Sequence, residues 1–386
     1  MVRVRSFDAK VGVQIKFEAT WGVDPGTWGT NAFRVAFNAE DFHWEDDVLP
    51  DSAEFTPLGA LLDIDKQRRI VRGSLTCEPQ YNNIYFWMLF SQVWGTENVV
   101  QDRSILDDAA LATGLNTHIW TPGTATPLGL SMQVFMSGPD TSGSALQING
   151  LLITRMVWDH PTGDRPTVTF EWIGKQITTI AATGAFATLE SPNIKFKAKD
   201  LERTNSYLHF GATQTELNVL GFTLTVDRKV DVSDAFLNSL STIDKPGILD
   251  TREVTIEIDS VLEQDFAAAQ KPWNEFSANP EIASKASIGY EADTVAAAST
   301  NYMLKFDMPR LRWTDVRPTL TQKGDQPFTA TGRATLGNLT LMTAPHNEHA
   351  TVPTDGMVDI RAMCHVSTAD ETAPDAKFDP TLPNAT

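Results

Sequence analysis

Large apolar side chains recur at every second position through most of this chain. In "VGVQIKFEA" Val11, Val13, Ile15 and Phe17 share one face, and in "FRVAFN" Phe33, Val35 and Phe37 do. The same period runs from Leu128 to Met136, from Leu146 to Trp158, and through Val168, Phe170 and Trp172. It returns at Phe222, Leu224 and Val226, at Val254, Ile256 and Ile258, and at Tyr302, Leu304, Phe306 and Met308. A period of two, bounded by Gly, Pro and Asp clusters, predicts half-buried antiparallel strands. The chain reads as mainly β.

Helical patterns are few. Ile84 to Trp94 runs without Gly or Pro after a capping stretch "EPQYNN". "EQDFAAAQ", Glu263 to Gln270, reads as a second helix stopped by Pro272, and "SILDDAALATG", closed by Gly114, as a short third. The first carries more large side chains than one helical face can bury, Phe86, Trp87, Phe90 and Trp94 among them. It reads as core plus a contact with a neighbouring subunit.

The order of elements repeats. Strands near Phe33–Trp44 and Ile70–Glu78 flank a loop of about 25 residues, and a helix and three strands follow. Strands at Leu217–Val230 and Arg252–Val261 flank a loop of about 20 residues, and again a helix and strands follow. The last strands of each half are joined by similar turns, "HPTGDRP" and "RPTLTQKGDQP". Identity between the halves is negligible, so the duplication rests on pattern, and two unrelated β domains are the alternative. The boundaries are 1–185 and 186–365, followed by a Pro- and acid-rich extension over 366–386.

Two of these strands have one polar face. In "REVTIEIDSV" Glu253, Thr255, Glu257 and Asp259 lie opposite Val254, Ile256 and Ile258, and in "TVTFEWIG" Thr167, Thr169 and Glu171 lie opposite Val168, Phe170 and Trp172. Loops as long as Glu45–Arg69 and Asp231–Asp250 are usually functional or disordered. In the first of them "FTPLGALLDI" offers Phe55, Pro57, Leu58, Leu61, Leu62 and Ile64 for apolar contact.

Composition narrows the function. With 49 acidic and 31 basic residues the net charge is −18, which disfavours nucleic-acid binding through Lys and Arg. Cys77 and Cys364 lie too far apart in sequence for a secreted disulfide scaffold and read as free thiols of a protein assembled in a reducing cytosol. The N-terminal "MVRVRSFDAK" lacks the apolar region of a signal peptide, and no segment approaches the roughly 20 apolar residues of a membrane span.

No catalytic constellation stands out. "HNEH" sets His346 and His349 three apart in a Pro-flanked loop, without the HExxH pattern, so no metal site is assigned. GxSxG and GxxxxGK[ST] are absent. Acids such as Glu45–Asp47 and Asp107–Asp108 are too numerous to single out a hydrolytic pair. The ten Trp suggest a sugar platform, but Trp87, Trp158 and Trp172 occupy core positions of the pattern. The reading is a non-enzyme without a cofactor.

"WGVDPGTWGTNAF", Trp21 to Phe33, resembles the glycine-threonine opening of tail tube proteins of long-tailed bacteriophages. In that family a strand, a long loop and a strand ending G-x-[LV]-x-x-E-x-x-Y follow, and here that ending is "GSLTCEPQY", Gly73 to Tyr81. It leads into "IYFWMLFSQVWG", an apolar helix closed by Gly. "INGLLITRMVWD", Ile148 to Asp159, and "FTATGRATLG", Phe328 to Gly337, resemble later strands of such domains.

The resemblance implies antiparallel β-sandwich or barrel-like tube domains, each with one flanking α-helix, two per chain. It implies a structural virion protein whose stacked rings form a hollow tail tube for ejection of double-stranded DNA, without specific DNA binding. One-domain members form hexameric rings; two domains per chain imply a homotrimer of pseudo-sixfold symmetry, with a homohexamer as the alternative. Tape-measure and tail-tip or tail-terminator proteins are the other implied partners. On this reading Phe55 to Ile64 reach the next ring, and Glu171, Glu253, Glu257 and Asp259 face the lumen, or else outer solvent. A virion decoration or carbohydrate-binding β-sandwich protein, using exposed aromatics, is the competing class.

Overall fold

Where apolar and polar side chains alternate, the computed structural model of this chain forms strands, and every strand pairing among the described residues is antiparallel. The structure describes residues 12–26, 28, 33–35, 39–50, 64–82, 84–100, 115–122, 129–135, 144–181, 194–201, 207–211, 214–217, 219–231, 246–261, 272–278, 284–297, 300–319, 327–342 and 357–367.

The first half contains β1 (Gly12–Phe17), β2 (Phe33–Val35), β3 (Ala39–Pro50), β4 (Ile64–Cys77), helix α1 (Ile84–Trp94), β5 (Gly95–Val100), β6 (Leu115–Pro122), β7 (Leu130–Phe135), β8 (Ser144–His160), β9 (Thr167–Gly174) and β10 (Gln176–Ala181). The second contains β11 (Tyr207–Phe210), β12 (Thr215–Glu216), β13 (Val219–Asp231), β14 (Gly247–Val261), helix α2 (Pro272–Ala278), β15 (Ser284–Ala297), β16 (Thr300–Pro318), β17 (Pro327–Ala334), β18 (Gly337–Asn338), β19 (Met357–Val358) and β20 (Arg361–Ser367). The strands make one branched sheet of 18, and β18 pairs with β19 apart from it.

Two long strands produce the branching. Up to Leu151, β8 pairs with β7 and β10; from Leu152 it pairs with β9, and toward its end with β13. The exchange of partners falls at Gly150, whose φ of +69° a side chain would resist. A Cβ there would also meet Lys175 Cβ at 2.8 Å. Strand β16 does the same, pairing with β15 as far as Leu311, with β20 as far as Asp307, and with β17 from Leu311 onward.

The two halves share a pairing plan. In the first, β1 pairs with β2 and β7, β7 with β8, β8 with β10 and β9, β9 with β4, and β4 with β3. In the second, β11 pairs with β12 and β15, β15 with β16, β16 with β20 and β17, β17 with β14, and β14 with β13. Even the bulges coincide, between Ile153 and Arg155 in β8 and between Trp313 and Asp315 in β16. The halves join where β8 pairs with β13, and where β20 pairs with β6.

A single apolar cluster contains residues of both halves. At its centre Trp158 packs edge-on against Phe196 at 5.2 Å and Phe306 at 5.3 Å, and Trp94 stacks on Phe306 at 6.0 Å. Helix α1 sits inside this cluster rather than on it. Leu89, Phe90, Val93 and Trp94 are buried, and so are Ser91 and Gln92, so its described C-terminal part is covered on all sides. Each large apolar side chain so buried contributes roughly 1.5–3 kcal/mol. Phe90 and Trp94, expected at a subunit contact, are thus taken up by the chain's own core. The side chains of Phe86 and Trp87 lie outside the described residues.

Three expected boundaries differ. Pro272 opens α2, because its missing N–H is not needed in a first turn; Glu263 to Gln270, expected as a helix before it, lie outside the described residues, as does the third expected helix. The loop expected over Glu45–Arg69 is strand at both ends, since β3 runs to Pro50 and β4 starts at Ile64, while 51–63 lie outside the described residues. Strands β5 and β6, which the sequence pattern did not single out, form a further hairpin.

Candidate functional site

The strands β3, β4, β9, β8, β13, β14, β17 and β16 lie side by side in that order. One side of this sheet is dry, with Leu75, Phe170, Trp158, Leu224, Ile256, Ile258 and Ala330 packed into the core. The other is polar, and its side chains line up in rows across the strands. One row is Ser74, Glu171, Arg155, Asp227 and Glu253; another is Thr167, Asp159, Thr223, Glu257, Thr331 and Asp315. All four acids picked out from strand alternation, Glu171, Glu253, Glu257 and Asp259, therefore stand on one face of one sheet.

That face is not simply acidic. Arg155 Nη1 lies 3.0 Å from Glu171 Oε1, both side chains being 42% exposed, so the pair contributes little to stability. Glu253 sits between Lys229 at 3.0 Å and Arg333 at 3.5 Å. The Lys229 hydrogen bond holds its carboxyl below the usual carboxylate range, with the Arg333 charge adding to it. Thr329 Oγ1 donates to Asp259 at 2.9 Å, and Thr223 Oγ1 to Asp159 at 2.8 Å. Between the charges lie threonines, with Thr76 and Thr169 hydroxyls 2.9 Å apart. Among the described residues, these hydroxyls and paired charges present no cluster of unopposed Lys or Arg to a polyanion.

The glycine-rich turn has a structural role. The polar face of β1 was expected to meet water, yet Gln14, Lys16 and Glu18 are buried. Gln14 Nε2 donates to Gln133 Oε1 at 2.8 Å, Gln133 Nε2 to Gln147 Oε1 at 2.9 Å, and Gln147 Nε2 to Asn149 Oδ1 at 3.0 Å. Glu18 ends this ladder, accepting from Ser131 Oγ at 2.5 Å, Gly150 N at 2.7 Å and Gly22 N at 2.5 Å. Burial pushes its carboxyl pKa up, and these bonds offset part of the rise. Asp24 Oδ1 closes the turn above, taking the Gly26 amide at 2.9 Å and the Trp28 indole at 3.1 Å. The sequence signal was present as Gln and Asn at matching alternate positions of "VQI", "MQV" and "LQING".

The second motif is structural too. Gly73 lies across from Trp172, Glu78 pairs with Lys195 at 2.5 Å and Arg165 at 3.6 Å, and Tyr81 stacks on Phe196 at 3.6 Å. Tyr81 Oη also donates to Asp200 at 3.2 Å. Arginines from the second half bond the carbonyls at the C-terminal end of α1: Arg228 Nη1 reaches Gln92 O at 2.6 Å and Arg252 Nη1 reaches Trp94 O at 3.4 Å.

Phe55, Pro57, Leu58, Leu61 and Leu62 lie outside the described residues, and Ile64 opens β4. His346 and His349 also lie outside them; among the described residues no group of three or more His, Cys, Asp or Glu could hold a metal. No described helix is long and apolar enough to cross a membrane. A protein-family model described as "Phage tail tube protein" matches residues 8–340. No curated protein matches the chain.

Proposed function

The chain belongs to the phage tail tube protein family, a structural component of the virion tail, and on that premise we propose that three copies close into a ring of pseudo-sixfold symmetry. The rings stack into a hollow conduit for double-stranded DNA. The observation that carries the threefold stoichiometry is the coincidence of strand pairings between the halves, including the bulges in β8 and β16. It supports two equivalent tube units per chain, and hence six units from three chains.

The polar face of the eight-strand sheet is the wall that meets DNA. Its threonines and compensated charges give phosphates nothing to hold, and surface charges are screened beyond about 8–10 Å at physiological salt. Residues 51–63, which join β3 to β4, and residues 232–245, which join β13 to β14, reach the neighbouring ring. Tape-measure and tail-tip or tail-terminator proteins are the other partners of the stack.

Two measurements test this. Purified protein should form rings or tubes in negative stain, and the mass of a released ring should equal three chains; six chains per ring would overturn the stoichiometry. Glu171→Lys, Glu253→Lys and Glu257→Lys together should yield tubes that retain DNA in a salt-dependent way. Tubes with unaltered DNA release would place this face outside the channel.

A further inference from the structure

The segment that joins the halves carries a basic cluster. In "IKFKAKD" the ring of Phe196 is buried, stacked on Tyr81 at 3.6 Å and edge-on to Trp158 at 5.2 Å. With Phe196 anchored in the core, Lys195, Lys197 and Lys199 reach the surface around it. Asp293 of β15 takes Lys197 Nζ at 2.6 Å and Lys199 Nζ at 3.8 Å. Glu78 takes Lys195 Nζ at 2.5 Å and Arg165 Nη1 at 3.6 Å, Arg165 lying in the turn between β8 and β9. Four cations thus share two carboxylates, and they stand outermost: Arg165 is 55% and Lys199 59% exposed, against 26% for Glu78 and 32% for Asp293. Two further acids lie at the cluster, each with other bonds. Asp200 is buried and accepts from Tyr81 Oη at 3.2 Å and the Lys197 amide at 3.0 Å, and Asp164 takes the Arg165 amide at 2.7 Å.

Strand β20 ends beside this cluster. His365 pairs with Met303 of β16, and Met303 pairs with Glu291 of β15. Strands β15 and β20 both run antiparallel to β16, hence in the same direction, and two residues on they reach Asp293 and Ser367. Two strand spacings separate these residues, about 10 Å. Beyond Ser367 the chain continues with Asp370, Glu371, Asp375 and Asp379 against one basic residue, Lys377, all outside the described residues. At roughly 3.3–3.6 Å per residue, Asp370 reaches about 10 Å from Ser367 and Asp375 up to about 28 Å. The whole chain carries −18, so these acids meet net repulsion from the rest of the chain and attraction at this cluster.

We infer that Asp370, Glu371 and Asp375 dock on Lys195, Lys197, Lys199 and Arg165 of the same copy. Each added carboxylate gives a shared cation a partner of its own. Exposed ion pairs are individually weak, but the tether holds the acids at an effective concentration on the order of mM, and several pairs act together. Strand β20 joins the halves through β6, and the lysines lie on the segment that joins them covalently. The docked extension clasps that same junction from outside, and it covers cations that another polyanion would bind. This contact forms within a single copy, and so does not depend on the ring proposed above.

A carbodiimide joins a carboxylate to an amine only where the two already touch, and it tests this contact on the unassembled chain. Ordinary and heavy-isotope protein are mixed in equal amounts, and linked peptides are read by mass spectrometry. Links from Asp370, Glu371 or Asp375 to Lys195, Lys197 or Lys199 should appear at low salt, and only within copies of one label. They should fade at about 1 M salt, where the screening length is about 3 Å. Acetylation gives a second reading. With Asp370→Asn, Glu371→Gln and Asp375→Asn together, Lys197 and Lys199 should be labelled several-fold faster, while Lys229, paired with Glu253 on the polar sheet, stays unchanged. The absence of such links, or acetylation rates that the triple variant leaves unchanged, would overturn the docking. Links only between ordinary and heavy copies would overturn it too, and would give the cluster to a second molecule.

Discussion

Acidification should loosen the junction between β8 and β13, and His160 gives the size of the effect. This residue ends β8, stacks on Phe222 of β13 at 5.7 Å and is 5% exposed. Its Nδ1 lies 2.9 Å from Tyr290 Oη, which also takes the Trp158 indole N–H at 2.9 Å. An indole only donates, so the phenol oxygen accepts there and keeps its own proton available to donate to an unprotonated Nδ1. Burial pushes the His160 pKa from 6.5 down to about 4, with Asp159 pulling weakly the other way. The unfolded chain therefore binds this proton at higher pH than the folded one. The stability is fully present above pH 6.5 and is lost as the pH falls toward about 4. The difference amounts to about 3 kcal/mol, a sizeable share of the roughly 5–15 kcal/mol that holds a typical domain together.

Urea unfolding of the unassembled chain across that range checks it, with His160→Gln as the comparison, since Gln stays neutral and can accept the Tyr290 proton. Wild type should lose about 3 kcal/mol more than the variant between pH 7 and pH 4. The Asp307 carboxyl does not interfere in that window. Burial raises it, but Lys305 and Arg361 together hold it below 3.8, so its contribution disappears only at lower pH. Parallel pH profiles for wild type and variant would refute the buried neutral imidazole.

Three further outcomes are expected. Arg252→Ala strands the carboxylate of Asp359, which is 13% exposed, and should cost about 3–5 kcal/mol as a lowered urea midpoint; adding Asp359→Asn should recover part of it, and a single-variant loss below about 1 kcal/mol would show that the pair is not effectively buried. Gly150→Ala combines a φ of +69° with a 2.8 Å contact to Lys175 Cβ, so the melting temperature should fall by an amount equivalent to about 1–3 kcal/mol or more; an unchanged melt would mean that β8 turns without strain. Deleting Pro57 to Leu62 should leave circular dichroism and melting intact while rings fail to elongate, and normal tubes would remove this segment from the ring contact.

The strands legible in the sequence are those with water on one side. Phe222, Leu224 and Val226 on β13 and Val254, Ile256 and Ile258 on β14 alternate because only one face is dry. The same alternation placed Glu171, Glu253, Glu257 and Asp259 on a common face, which no single strand could have shown. The Gln14 to Glu18 ladder escaped notice because its polar groups are buried against each other, and a local window reads such groups as solvated. The long β3–β4 hairpin was missed for a related reason. "EDD" looks like a loop on its own, but its register partners in the ladder are Ile70, Arg69 and Arg68, more than twenty residues on. Nor could composition reveal that the arginines bonding the end of α1 lie in the other half of the chain.

The β5–β6 hairpin breaks the equivalence of the halves. It attaches to β20, and nothing comparable fits in the second half, where only residues 279–283 separate α2 from β15. In the ring proposed above, three chains would repeat the strands of the polar-faced sheet six times and this hairpin three times. The passage inside would then present near-sixfold scenery to the genome, while the hairpin would mark every second unit. A protein that docks on the tube by recognising the hairpin would find three equivalent berths per ring. If the two halves are equivalent units, as proposed, each is free to vary on its own, a freedom that six identical chains never have.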